Sequence, residues 1–301
     1  MAIYSHQQML FHSNLNDANF RAWGSAISAE MTAMGWAKTA DTGQVNWTTV
    51  TVPATGVLVY EIWEPVSDPL QTGSTKYYVK LEYGNWNTGA NAPGFRAQLG
   101  TGTNGAGTLT GITTVARGNA GTGYTIATLP AECNFCGDIS RIGMMLWRDT
   151  NASYNGGGAG VLVLCIERTK TAAGVDSPDG VTIVTLNPQD TFINTLRQQQ
   201  TIVFGLGATS NYDRLISLGS NLASEAFHGN VPISPIFPIY GKFGNPLTMG
   251  ATGRGADFTE GGYITATMYG ATTRYICTKR GLADTCGPNG VTGSAFLMRF
   301  D

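Results

Sequence analysis

From residue 41 onward the chain is a succession of short runs rich in β-branched and aromatic residues, each closed by glycine, asparagine, aspartate or proline. This pattern constrains the fold more than any other feature. Runs of that length with turn residues between them predict strands, and no helical pattern alternates with them over 41–186, so a parallel α/β fold is excluded. Strands are predicted over 45–52, 56–63, 76–83, 95–99, 108–116, 124–129, 142–148 and 161–168. In 76–83 the alternation is clear. Tyr77, Val79, Leu81 and Tyr83 fall on one face, and Tyr78, Lys80 and Glu82 on the other. Further strands are expected at 201–207, 262–269 and 273–277, and the apolar tail 294–300 completes a sheet or docks elsewhere. The fold class read from this is mainly β, an antiparallel β-sandwich or jelly-roll-like architecture with one N-terminal amphipathic helix.

The helix is read from spacing. Phe20, Trp23, Ile27, Met31 and Met34 recur at three- and four-residue steps, so they share one face. Asn16 or Asp17 can cap its start, and Gly35 can end it in a left-handed conformation. The organisation expected is an extended N-terminal arm at 1–15, the helix at 16–40 packed on the first sheet or on a neighbour, a β-sandwich at 41–186, and a second β-rich region at 187–301, either separate or part of the same domain. Asn187-Pro188 suits the start of a short helix through Phe192 and Leu196, and 213–227 is weakly helical in pattern. Residues 231–240 carry Pro232, Pro235 and Pro238 at three-residue spacing. Proline cannot donate to a sheet ladder, so this strip is expected to run along an edge or across a partner.

Charge and glycine content narrow the function. Only 13% of residues are charged and the formal net charge is -2, which excludes a broad basic surface for nucleic acid. The 40 glycines show no three-residue period, so collagen is excluded as well. No apolar run is long enough to cross a membrane as a helix, and the N-terminus lacks a basic segment followed by an apolar core. The expectation is a soluble chain made in a cytoplasm, with no membrane partner.

Chemistry-bearing motifs are few. Residues 100–105 match G-x-G-x-x-G literally, but a glycine- and threonine-rich stretch follows where a dinucleotide site needs a helix. Cys133 and Cys136 form a C-x-x-C, readable as a zinc half-site, a redox pair or plain buried thiols. No second C-x-x-C or H-x-x-x-H accompanies it. Glu61 and Glu64 flank Trp63, an arrangement that could serve a sugar, yet the spacing selects no acid pair. His6, His12 and His228 fit no metal spacing, and no G-x-S-x-G is present. The chain is read as a non-enzyme with no catalytic residues, no metal and no cofactor. Trp86, in the polar loop Asn85-Trp86-Asn87-Thr88-Gly89, could hold host surface glycan or fold back on its own sheet. The residues expected at subunit contacts are Phe11 in the arm, Phe20, Trp23, Ile27 and Met31 on the helix, and Pro232, Pro235, Phe237, Pro238 and Tyr240 in the proline strip.

One stretch carries a family resemblance. Phe20-Arg21-Ala22-Trp23-Gly24-Ser25-Ala26-Ile27-Ser28, then Gly35, then Thr39-Ala40-Asp41-Thr42-Gly43-Gln44-Val45-Asn46-Trp47, resembles virion structural proteins of tailed bacteriophages. The segments Tyr60-Glu61-Ile62-Trp63 and Lys80-Leu81-Glu82-Tyr83-Gly84 continue it, and it covers roughly residues 4–115. The resemblance implies a particle component but not which one; the reading adopted is a homo-oligomeric structural protein of the tail or baseplate, with contacts to itself and to other virion proteins. The alternatives it leaves are a capsid decoration protein and a receptor-binding adhesin or glycan-degrading spike. It brings no catalytic residues.

Overall fold

The computed structural model describes residues 5–12, 16–85, 93–111, 114–119, 130–147, 162–170, 173, 175–186, 199–205, 211–212, 215–217, 233–240, 243–244, 248–254, 262–268, 271–282 and 294–300. These residues form antiparallel sheets and a single long helix, as the pattern of short runs predicted. The chain begins with β1 (Ser5–His12) and the helix α1 (Asp17–Ala33). A first sheet follows, from β2 (Ala37–Lys38), β3 (Leu58–Glu64), β4 (Tyr78–Asn85), β5 (Pro93–Gly100) and, after the small hairpin β6 (Gly102–Thr103) and β7 (Leu109–Thr110), β8 (Thr114–Asn119).

The next strands are β9 (Pro130–Asp138), β10 (Arg141–Trp147), β11 (Leu162–Lys170), β12 (Asp176–Leu186), β13 (Gln199–Gly205) and β14 (Asn211–Tyr212). They pair in chain order, and β1 joins them beside β9. The remaining strands make a third sheet: β15 (Leu215–Ser217), β16 (Ile233–Tyr240), β17 (Phe243–Gly244), β18 (Gly250–Arg254), β19 (Tyr263–Met268), β20 (Ala271–Leu282) and β21 (Ser294–Arg299).

Helix α1 forms where its spacing placed it. The Asn16 side chain accepts the Asn19 amide at 2.9 Å, satisfying one of the donors that the first turn leaves open. Gly35 takes φ 91° just past the end. The apolar face is wholly covered. Trp23 meets Tyr83 edge-on at 5.4 Å and Phe20 meets Trp47 at 5.5 Å. Below the helix lie Tyr77, Val79, Leu81 and Tyr83 of the first sheet, and opposite them Cys133, Phe135, Ile142, Met144, Leu164, Ile166 and Val181 of the second. One core therefore joins the helix to two sheets.

The second sheet is buried on its other face as well. Met249 and Met298 of the third sheet press on Gly143, where an added Cβ would come within 2.6 Å of the Met249 methyl. The buried Glu167 accepts the Thr248 amide at 2.8 Å and its hydroxyl at 2.6 Å, tying β11 to the start of β18. The result is three layers with the second sheet in the middle.

Several expectations change. Residues 45–52 are not a strand. Asn46 closes a turn, its side chain accepting the Thr48 amide at 3.0 Å and its carbonyl accepting the Val50 amide at 3.0 Å. The segment straps α1 instead: Arg21 donates to the Val50 carbonyl at 2.9 Å, and the Val52 amide donates to Asp17 at 2.9 Å. Trp47 sits over Gly24, where an added Cβ would lie 2.0 Å from the ring. The arm expected at 1–15 is, over Ser5–His12, an edge strand paired to β9 in its own chain. The weakly helical reading of 213–227 fails at Leu215–Ser217, which is strand. Beyond residue 187, β13 and β14 extend the middle sheet, while β15 to β21 form the third. The predicted strand 124–129, the predicted helix through Phe192 and Leu196, His228 and Cys286 lie outside the described residues. Among the described residues no helix is long and apolar enough to cross a membrane.

Candidate assembly surfaces

The helical residues expected at subunit contacts belong to the core. Phe20, Trp23, Ile27 and Met31 are at most 1% exposed, so their stripe packs on this chain's own sheets and is corrected from interface to interior. Phe11 lies in β1 opposite Ala131. The proline strip is also paired within the chain. Residues 233–235 pair with β18 and residues 236–238 with β15, so the strand changes partner between Pro235 and Ile236. Pro235 faces Ala251 in the ladder, Phe237 faces Ile216, Pro238 faces Leu215, and Tyr240 faces Phe243 of β17. The strip is thus a sheet member and not a free run across a neighbour. Pro232 and Trp86 lie outside the described residues.

The stretch carrying the resemblance is a clasp, and its polar groups bond within the chain. The Gln44 side chain donates to the Thr39 carbonyl at 2.7 Å and accepts the Ile62 amide at 2.8 Å, binding the 39–45 loop to β3. Asp41 accepts the Thr39 hydroxyl at 2.7 Å and the Gly107 amide at 3.0 Å. Gly107 has φ 84°, and an added Cβ would lie 2.0 Å from the Tyr60 hydroxyl, so the position admits only glycine. The Tyr60 hydroxyl donates to the Thr42 carbonyl at 2.6 Å. Asp41 thereby pins the hairpin of β6 and β7 against β3.

Electrostatics make this clasp acid-sensitive. Burial alone would raise the Asp41 pKa, but hydrogen bonds from Thr39, Gly107, Thr103 and Gly105 outweigh it and hold the carboxyl below its ordinary value. A depressed folded-state pKa contributes stability above the unfolded value of about 3.9 and loses it as pH falls through the folded one. The loss of stability below about pH 4 is therefore expected to be smaller in Asp41→Asn than in the parent chain. Urea unfolding midpoints at pH 5 and pH 3 check this.

Glu61 and Glu64 do not form a catalytic pair. Glu61 is fully buried in the core, accepting Trp47 Nε1 at 2.7 Å and the Tyr83 hydroxyl at 3.1 Å, with Lys38 Nζ at 2.5 Å. Three residues on, Glu64 points to the opposite side of the strand, as a two-residue repeat requires. Trp63 is only 1% exposed and offers no sugar platform. The C-x-x-C separates in the same way. Cys133 joins the core under α1, whereas Cys136 sits beside Gly143 on the face covered by the third sheet. Burial pushes the Cys165 thiol well up, with Glu167 and Cys136 adding to it, which keeps it protonated and unreactive. Residues 100–105 run from the end of β5 into the β6–β7 hairpin, with no helix after the glycines.

Among the described residues the large hydrophobics left exposed are Val57, Val66, Ile139, Val175 and Tyr263, and three of them lie close together. Val66, Ile139 and Val175 are 53%, 37% and 62% exposed, the first two in turns and the third just before β12. The three segments are neighbours. Ile139 packs beside Gly35 and Ser67, and Ser140 donates to Asp176 at 3.3 Å. Beneath them the base is rigid. Asp138 receives two guanidinium hydrogen bonds from Arg141, at 2.9 and 2.6 Å, Trp36 donates to the Asp138 carbonyl at 2.9 Å, and Tyr77 donates to the Ser140 carbonyl at 3.1 Å. Sequence reasoning passed over these positions. The available signal was an aliphatic residue next to aspartate and serine: Val66-Ser67-Asp68, Asp138-Ile139-Ser140 and Val175-Asp176-Ser177. Compared with family models the chain finds no match, and compared with curated proteins it finds none either.

Proposed function

We propose that the chain is a structural component of a tailed-phage virion, placed in the tail or its baseplate, and that it acts through protein–protein assembly. The observation that carries this reading is the rigid patch bearing Val66, Ile139 and Val175, exposed aliphatic groups on a braced hydrogen-bonded base. Apolar groups clustered at a surface mark sites covered by another protein. The resemblance of residues 4–115 supplies the kind of particle. The clasp that carries it fixes the 39–45 loop and the β6–β7 hairpin to β3, which suits a scaffolding role. Low charge fits a surface shared with neighbours, as repulsion between copies is small.

The test is assembly. Val66→Lys together with Val175→Lys should leave the unfolding midpoint nearly unchanged, because both side chains are more than half exposed and such substitutions cost within about 0.5 kcal/mol each. The same variant should enter particles at least about tenfold less than the parent when both are supplied to a phage lacking the gene, equivalent to about 1.4 kcal/mol of lost contact. Equal incorporation would remove the apolar patch from the proposal.

A further inference from the structure

We infer that β19 is a pairing edge, and that its occupant is the β19 strand of a second copy of this chain, laid antiparallel. Among the described residues β19 pairs with β20 alone. The direction of its backbone groups follows from the ladder. The Cys277 amide donates to the Gly262 carbonyl at 2.9 Å, so even-numbered residues of β19 bond to β20 and odd-numbered ones turn their amide and carbonyl groups outward. Thr265 and Thr267 are exposed, and both present a donor and an acceptor to this open side. The close approach of the Thr267 and Thr272 hydroxyls, 2.8 Å apart, fits a pair that exchanges no backbone bonds across the hairpin.

The occupant is argued from comparison of the edges. Proteins protect open edges by shortness, charge, proline or a covering element. Here β2 and β14 have two residues and β15 has three, β8 carries Arg117, and β1 lies against α1. By contrast, β19 has six residues and neither a charge nor a proline: Tyr263-Ile264-Thr265-Ala266-Thr267-Met268. The strand is also self-complementary. An antiparallel pair centred on Ala266 sets Thr265 of each copy against Thr267 of the other, matching four amide and carbonyl groups on each strand without opposing like charges. The inner side is already held, since Ile264 and Ala266 pack on the core of Ala251, Tyr275, Cys277 and Leu297. Pairing therefore needs no rearrangement of the sheet.

This inference rests on the assembly reading only in choosing a second copy as the occupant, and its test is separate. The purified full-length chain is measured by light scattering after size exclusion, beside Thr265→Lys and Thr267→Pro. Lysine adds a charge to each side of the two-fold pair, and proline removes an outward donor that the chain's own ladder does not use. The expected result is a dimer or larger multiple for the parent and half that mass for both variants, with unchanged circular dichroism. A monomeric parent, or variants of unchanged mass, would overturn the inference. A monomeric parent that still enters virions would leave the functional proposal standing while this edge falls.

Discussion

Replacing Asp68 with alanine is expected to cost about 3–5 kcal/mol of folding stability, read as a shift in the urea midpoint at constant slope. Asp68 and Arg168 form an ion pair between the turn after β3 and the middle sheet, and both side chains are at most 1% exposed. Arg168 also lies over the Tyr77 ring at 4.7 Å and donates to Gln71 at 3.4 Å, a long contact, while Nη1 has no hydrogen-bond partner. Its compensation therefore comes mainly from Asp68. Without that carboxylate a guanidinium stays buried against an aromatic ring and one distant amide. The pair itself need not be stabilising. Arg168→Met combined with Asp68→Leu should regain part of the loss, because an apolar pair of similar volume avoids desolvating two charges while the Leu70 amide, which donates to Asp68 at 2.9 Å, loses its acceptor. If Asp68→Ala alone cost less than about 1 kcal/mol, the pair would not be what fastens the first sheet to the second.

Glu61→Leu is expected to cost about 2–4 kcal/mol, the penalty for two buried donors left unpaired at about 1–2 kcal/mol each. Trp47 Nε1 and the Tyr83 hydroxyl both end on this carboxylate, inside the core under α1. Burial holds the Tyr83 phenol well above its ordinary range and the Glu61 charge adds to that, so it remains a donor at any pH the fold survives. Lys38 is partly solvated and can turn to water, so its share is small. Glu61→Gln keeps an acceptor and should lose less. The tryptophan emission of the leucine variant should shift as Trp47 loosens over Gly24. Equal stability of the leucine variant and the parent would mean that Trp47 is held by packing with Phe20 and Tyr83 alone.

These two sites show how far the sequence could be read. The helix was legible because the whole stripe from Phe20 to Met34 is covered on one side only. Likewise β4 was legible because its residues alternate in type, with Val79, Leu81 and Tyr83 in the core and Lys80 and Glu82 paired on the other face. In the middle sheet this contrast is lost. Met144 packs under α1 and Met145 faces the other way, yet both are fully buried, and Leu164 and Cys165 repeat the pattern. A strand buried on both faces reads as a plain apolar run, with nothing to say that another layer covers it. For the same reason β9 was seen only as a C-x-x-C. Residues 45–52 misled in the opposite way, alternating like a strand while Asn46 directed them into a turn. The helical contact residues Phe20, Trp23, Ile27 and Met31 belong instead to the core, because a large aromatic stripe serves a core and an interface equally well, and only burial separates the two.

The most direct test of the account is the stoichiometry of the chain in purified phage particles, measured by quantitative mass spectrometry against a capsid protein of known copy number. The account predicts that the chain is present at a fixed count in the low tens, a multiple of three or six, as a symmetric tail or baseplate ring requires. Absence from purified particles would contradict it, and a count in the hundreds would place the chain on the capsid instead.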